Sequence, residues 1–278
     1  MRIAWLSDVH LEWLNQKSRK AFYEALADER PDVVLIGGDI CNYDFLEPWL
    51  VKLHAKVQAP IYFCLGNHDY YNSSIFEVRN LAGRITKSHD EMTWLPTAGN
   101  VQLTEDVGLI GHGCWGDGRV GSFYNSSLVL NDFRYIKDLS GLRKHEQLEM
   151  IRQLGSEAAD HLEVWGEEAA KTFGKVIVLT HVPPFPKACL YMGKPSEEGL
   201  PFFCCKAAGD ALRKVASNNP TTQFLVLSGH THDAADVRIA DNLRCVVAGA
   251  EYGRPSFRLL NTEVIFPRDH GTNEAWGR

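Results

Sequence analysis

Eight short runs of β-branched or other apolar residues punctuate the chain: Ile3 to Leu6, Val33 to Ile36, Ile61 to Leu65, Val107 to Ile110, Val176 to Leu179, Phe224 to Leu227, Cys245 to Val247 and Phe257 to Leu260. Their length and bounding polar residues predict strands. Several are nearly all apolar rather than alternating, the pattern of a strand covered on both faces. Between the early runs, Ala21, Phe22, Ala25 and Leu26, then Phe45, Trp49, Leu50 and Leu53, fall at helical spacing, predicting a β-α-β-α-β opening. Leu148, Ile151, Leu154, Ala158, Leu162, Trp165 and Ala169 recur at three- and four-residue steps as well, predicting one amphipathic helix or a broken pair on the outside of a sheet. After Ser228 the pattern changes to short strands with close turns, read as antiparallel β. Two stretches without clear periodicity, Ser88 to Gly99 and Gly111 to Ser140, read as long functional loops. With no internal repeat or linker-like segment, a single domain over 1–266 is expected, followed by a polar tail over 267–278.

Composition narrows the class without naming a chemistry. A hydrophobic content of 45% and charged content of 23% exclude disordered and collagen-like chains. The net charge of -6 argues against a broad basic surface for duplex nucleic acid, so no extended duplex partner is expected. No run of about 18 apolar residues is present, and MRIAWLSDVH lacks the apolar stretch and cleavage site of a signal peptide, so the expectation is a cytoplasmic protein without a membrane span. The seven scattered cysteines read as free thiols. Cys189, Cys204 and Cys205 form no C-x-x-C pair that would support a soft metal site.

Candidate chemistry lies at the strand ends. Asp8 and His10 follow the first run, Asp39 the second, Asn67 and His68 the third, His181 the run from Val176, and His230 and His232 the run from Phe224. In open α/β sheets, ligands bind at the carboxyl edge, so five strands would deliver metal-type side chains to one rim. In D-x-H, alternation along an extended segment would put Asp8 and His10 on one side; His230 and His232 share that spacing. Phosphate-ester hydrolysis needs phosphoryl charge neutralised and a hydroxide near neutral pH, and two divalent cations supply both. Mixed Asp, Asn and His ligation suits Mn, Fe, Zn or Ni better than an all-oxygen calcium or magnesium cage. For a lone histidine a satisfied structural position is the commoner reading, and it holds for His54, His89, His112, His145, His161 and His270, of which His112 alone draws some suspicion; the collective placement of the other five reverses it.

D-x-H, G-D, G-N-H-D, a lone strand-end His and G-H-x-H, in this order over roughly residues 1 to 250, resemble the calcineurin-like metallophosphoesterases. The resemblance implies an α/β fold, a four-layer sandwich of two mixed β-sheets flanked by helices. It implies two divalent metal ions, one held by Asp8, His10, Asp39 and His232 and the other by Asp39, Asn67, His181 and His230, with Asp39 the bridge. A hydroxide bridging the metals would attack phosphorus, and His68, not a ligand in the family, would protonate the leaving oxygen. Two departures matter. In the protein phosphatases an Asp three positions after the bridging Asp orients the catalytic His, whereas this chain has Asn42; Asp69 or another acid would have to serve. Purple acid phosphatases carry D-x-G and a Tyr ligand where this chain has His10 and Asn42, with Tyr43 one position off.

Substrate contacts are less legible. His112 in GHGCWGDGR and Arg134 in LNDFRYIKDL lie in stretches resembling an insertion of bacterial family members without assigned substrate; Arg134 could clamp a phosphate. Equally, Trp115, Asp132 and Arg134 could anchor a loop. Arg254, in EYGRPS, is a further phosphate candidate. Val182 to Phe203, rich in proline and aromatics, reads as a lid or a packed connector. The expected function is hydrolysis of a small phosphodiester or phosphomonoester, nucleotide-like and slightly favouring the diester. A noncatalytic metal-binding scaffold of the same fold is the alternative.

Overall fold

The structure is a computed structural model, and residues 1–266 are described. The expected polar tail from Pro267 lies outside them. All eight predicted strands form, most extended by a residue or two: β1 (Arg2–Leu6), β2 (Val33–Gly37), β3 (Ile61–Cys64), β6 (Val107–His112), β7 (Lys175–Thr180), β10 (Gln223–Ser228), β12 (Leu243–Val247) and β13 (Arg258–Asn261). Five more join them: β4 (Met92–Trp94), β5 (Val101–Gln102), β8 (Leu190–Tyr191), β9 (Lys194–Pro195) and β11 (Ala235–Ala240). One sheet has the order β13-β1-β2-β3-β4, the other β11-β12-β10-β7-β6-β5, and β8 and β9 form a separate hairpin. Both large sheets are mixed. Strands β1 to β4 are parallel with β13 antiparallel on the edge, and β12, β10, β7 and β6 are parallel between antiparallel β11 and β5.

The period of two along each strand builds the layers. In β1, Ala4 and Leu6 face a core shared with α1 (Gln16–Asp28), α2 (Leu46–Val57) and α3 (Ile75–Ser88), whereas Ile3 and Trp5 face the other sheet. In β7, Val176 and Val178 join α5 (Lys144–Thr172) and α7 (Lys206–Asn218), while Ile177 and Leu179 meet the first sheet. The inter-sheet layer unites Ile3, Trp5, Val33 and Leu35 with Leu109, Ile177, Leu225 and Leu227. Strands with both faces covered explain the continuous apolar runs. Four layers result, with helices on each outer side.

The helix expected through Leu148 forms as one continuous element of 29 residues, not a broken pair. Other expectations are corrected. Ser88 to Gly99 is not an open loop but carries β4 and a 3₁₀ turn, Leu95–Thr97. Gly111 to Ser140 does remain irregular beyond the end of β6, apart from the short α4 (Asp132–Tyr135). The segment after Ser228 is only partly antiparallel: β12 pairs parallel with β10, and β13 crosses to the first sheet. The hairpin β8–β9 and the single turn α6 (Leu200–Phe203) lie within the proline-rich stretch.

Candidate metal centre

Every strand-end candidate converges at the carboxyl edge where the two sheets meet. Asp8 and His10 leave β1, Asp39 leaves β2, and Asn67 and His68 leave β3, all from one sheet; His181 leaves β7, and His230 and His232 leave β10, from the other. The local geometry differs from the extended one expected for D-x-H. Asp8 (φ 54), His10 (φ 41), Asp39 (φ 50), His230 (φ 70) and His232 (φ 60) are left-handed, half of the ten described non-glycine residues with positive φ. Side chains at i and i+2 are brought together by alternate left-handed residues, not by strand alternation. Such backbone costs of order 1–3 kcal/mol per residue, and the surrounding hydrogen bonds enforce it. Asp8 N–H donates to Gly38 O at 3.1 Å and His10 N–H to Asp39 O at 3.0 Å, tying the first loop to the second. Two glycines are obligatory. A Cβ on Gly66 would lie 2.2 Å from Asp39 Oδ1, and one on Gly229 would lie 2.0 Å from Asp8 Oδ2.

Two groups of ligand atoms result. In the first, His10 Nε2 is 3.2 Å from His232 Nε2, and His232 Nε2 is 3.5 Å from Asp8 Oδ1. In the second, His181 Nε2 and His230 Nδ1 are each 3.0 Å from Asn67 Oδ1 and 3.1 Å from one another. Asp39 spans both, with Oδ2 3.7 Å from His10 Nε2 and Oδ1 3.4 Å from His181 Nε2.

The second group shows why these residues fit a cation. His181 Nδ1–H donates to Gly37 O at 3.0 Å and His230 Nε2–H to Phe202 O at 3.1 Å, which assigns each ring's single proton away from the centre. Burial pushes the His181 imidazolium down to about 3 and lowers that of His230, so both rings are neutral. Asn67 Nδ2–H donates to Asp132 Oδ1 at 2.8 Å, which aims the amide oxygen inward. Three bare acceptors thus face one another without a proton among them. This is repulsive by itself and satisfied by a cation. In the first group, burial likewise lowers His232 to about 4, leaving a neutral ring.

Asp39 is buried among like charges: burial pushes its carboxyl well above the usual range, the His68 charge opposes this, and Asp8 and Asp69 reinforce it. A divalent cation would reverse that balance. His68 is partly exposed beside both groups. Burial disfavours its charged form, but the carboxylates of Asp39, Glu12 and Asp132 outweigh burial and raise it to about 9. Its ring stacks on Tyr71 with centroids 4.3 Å apart and meets the His10 ring edge-on at 4.5 Å.

Asp69, considered as the acid orienting His68, is committed elsewhere. It accepts Ile40 N–H at 2.9 Å, Cys41 N–H at 3.0 Å and Gly66 N–H at 2.8 Å, stapling the β2 and β3 loops together. Asn42 leaves its Oδ1 buried without a partner. The carboxylate facing His68 is Glu12, with Oε1 3.8 Å from His68 Nδ1 and 3.3 Å from His10 Nδ1.

Three further residues shape the site without having been singled out as such. Besides Glu12, Asp132 is buried, accepting both Asn67 and the Tyr71 hydroxyl at 2.8 Å; it had been read only as a loop anchor. Tyr252 packs on His10 at 4.5 Å and His232 at 4.8 Å. The substrate candidates lie apart from the ligand groups or at the surface. His112 is buried against His161, with Nδ1 accepting Cys114 N–H at 3.0 Å. Arg134 is exposed on α4, and Arg254 is exposed and paired with Glu251 at 3.3 Å. All seven cysteines are buried and free, and none belongs to the metal-capable groups found among the described residues.

Residues 1–234 match the model of the calcineurin-like phosphoesterases, and the fold, with its edge of metal-capable acidic and imidazole side chains, agrees; the chain belongs to that family. Among solved structures it resembles the phosphopantetheinyl hydrolase of Mycobacterium tuberculosis, at 13% identity and TM-score 0.61, covering 90% of this chain and 89% of that one. It also resembles a dimetal phosphatase of Danio rerio, at 14% identity and TM-score 0.55, covering 93% and 91%. Identities this low establish the shared fold alone. No curated protein sequence matches the chain. Among the described residues, no helix is long and apolar enough to cross a membrane.

Proposed function

We propose that this protein hydrolyses a small phosphate ester, with a phosphodiester favoured, using two divalent cations. One would be held by Asp8, His10, Asp39 and His232, and the other by Asp39, Asn67, His181 and His230. The observation that carries this reading is the pair of acceptor groups sharing Asp39, with His68 alongside and engaged at its backbone N–H by Asp39 Oδ1 at 2.9 Å. The donor set of nitrogen and carboxylate atoms favours Mn, Fe, Zn or Ni. When bound, such cations neutralise phosphoryl oxygens and supply a deprotonated water near neutral pH.

The chain's own residues do the rest. Asp39 sets the spacing of the two groups; Gly37 O and Phe202 O hold His181 and His230 in the tautomers that face inward. His68, wedged between Tyr71 and His10, gives its proton to the leaving oxygen and steadies the phosphoryl group. The net charge of -6 supports a small or nucleotide-like substrate rather than a nucleic-acid duplex. Seven buried free thiols support a reducing, cytoplasmic setting.

Hydrolysis of bis-p-nitrophenyl phosphate compared with p-nitrophenyl phosphate, with Mn added, tests the reading. Metal-dependent turnover of the diester that falls at least about 100-fold in Asp39→Asn and His68→Ala is expected. Preference for the monoester would move the reading to a phosphatase. No metal-dependent turnover of either substrate would overturn it in favour of a noncatalytic scaffold.

A further inference from the structure

Asn42 stands where related phosphatases are expected to have an acid that orients the catalytic histidine, and Asp69 is occupied by three backbone donors. We infer that Glu12 is the positioning residue of this site, one carboxylate holding both His10 in its metal-binding orientation and His68 in its proton-donating orientation. The inference rests on the phosphoesterase reading above.

The geometry comes from the backbone. His10 is left-handed, and the chain then makes a single 3₁₀ turn, Leu11–Trp13, which folds Glu12 back beneath the two rings. Glu12 Oε1 lies 3.3 Å from His10 Nδ1 and 3.8 Å from His68 Nδ1, the first at hydrogen-bond distance and the second at ion-pair distance. Its Oε2 is buried and has no hydrogen-bond partner. A buried carboxylate oxygen left unpartnered is costly, and rotation about the terminal side-chain torsion, which is broad, presents it to a ring N–H. The side chain is 15% exposed, so bulk water is a minor competitor.

The consequences for the two rings follow from imidazole chemistry. An N–H on Nδ1 held by Glu12 leaves Nε2 of His10 a bare lone pair, and that atom faces His232 Nε2 at 3.2 Å in the first ligand group. The same contact on His68 directs Nε2 away from Glu12. The ring cannot swing freely, because Tyr71 stacks on its face and His10 meets it edge-on. As the bond from phosphorus to the leaving oxygen breaks, the Nε2 proton of the His68 imidazolium passes to that oxygen, leaving neutral His68 with Nδ1–H on Glu12.

Two measurements test this on the metal-loaded protein. The first compares Glu12→Ala and Glu12→Gln with wild type, at saturating Mn, on aryl esters whose leaving groups range from dinitrophenol to phenol. The Ala variant is expected to lose less than about tenfold on the best leaving group and about 100-fold on the poorest, the Gln variant falling between; Glu12→Ala added to His68→Ala should cost no more than the small loss seen on the best leaving group, which acts through His10. The second is nitrogen-15 NMR of histidine-labelled protein loaded with Zn, followed upward in pH until His68 has given up its imidazolium proton, and expected to show Nδ1–H tautomers for His10 and for neutral His68 in wild type and loss of the His68 Nδ1–H signal in Glu12→Ala. An equal loss for every leaving group, additive losses in the double variant, or an Nε2–H tautomer of His68 in the wild type would overturn the inference. Wild-type protein without turnover defeats the phosphoesterase reading instead, and the tautomer measurement still judges Glu12.

Discussion

Replacing Asp132 with alanine should weaken one metal and spare the fold. The carboxylate lies on α4, far in sequence from the strand ends, and accepts Asn67 Nδ2–H and the Tyr71 hydroxyl on the same oxygen, each at 2.8 Å. Without it, the Asn67 amide is free to rotate. Its NH₂ group would turn toward the bare nitrogens of His181 and His230, which stand 3.0 Å from the present amide oxygen. That flipped state satisfies the metal-free site, so a cation must first reverse it. The bond being lost is charge-assisted, worth about 1.5–3 kcal/mol. A supporting carboxylate of this kind alters metal affinity by about 10–100-fold, the same range expressed as binding. Calorimetric titration with Mn should therefore show one of two binding steps weakened by that factor, with the other within threefold of wild type. Tyr71→Phe, which removes the second donor and leaves the Asn67 bond, should leave both steps in place. Unchanged Mn affinity in Asp132→Ala would show that the amide is held by other contacts, and the argument would fail.

Asp69→Ala would strand three buried backbone donors; at about 1–3 kcal/mol each, the urea midpoint should report a loss of about 3 kcal/mol or more, and a change below 1 kcal/mol would contradict the staple. Burial, with smaller contributions from His161 and Arg79, lowers His112 to about 3, below its unfolded value near 6.5. The unfolded chain then binds the proton first, so this stability is fully present above about pH 6.5 and declines toward pH 3, at up to about 1.4 kcal/mol per pH unit. Urea melts of His112→Asn, which keeps an acceptor for Cys114 N–H, should show a flatter acid slope than wild type; equal slopes would remove His112 from the account. Gly229→Ala must displace Ser7 or Asp8, and its Mn content after dialysis should fall by at least tenfold; a fully loaded variant would refute the close approach.

What the sequence revealed, and what it concealed, divides along physical lines. The eight apolar runs were legible because strands covered on both faces, such as β2 and β7, contain almost nothing but apolar residues. The missed β11 alternates partly buried with exposed residues at an edge, and β4 and β5 are two or three residues long; pairing partners, not local pattern, define them. Helix α3 was missed although Ser74 and Glu77 form a capping box that a start-signal search would have found. The ligand candidates could be read because each sits just past a strand. Their left-handed backbone could not, since aspartate and histidine reveal that conformation only when neighbouring loops impose it. Glu12, Asp132 and Tyr252 carried no positional signal, and only the folded chain shows what each touches.

The centre is also a rivet between two halves of the sandwich. Asp8, His10, Asp39, Asn67 and His68 come from one sheet, and His181, His230 and His232 from the other, with Asp8 and His230 joined across 222 positions of chain. Each of the two proposed cations would draw on both sets. A growing chain can thus complete its first sheet's contribution early, yet it cannot grip metal in this arrangement until His232 has been made. The strand β13 comes later still, returning to pair with β1 and shutting the exposed edge of the first sheet. Loading and final closure should accordingly fall together at the end of folding, and metal ions should act as a late latch whose removal loosens the seam between the sheets before either sheet comes apart.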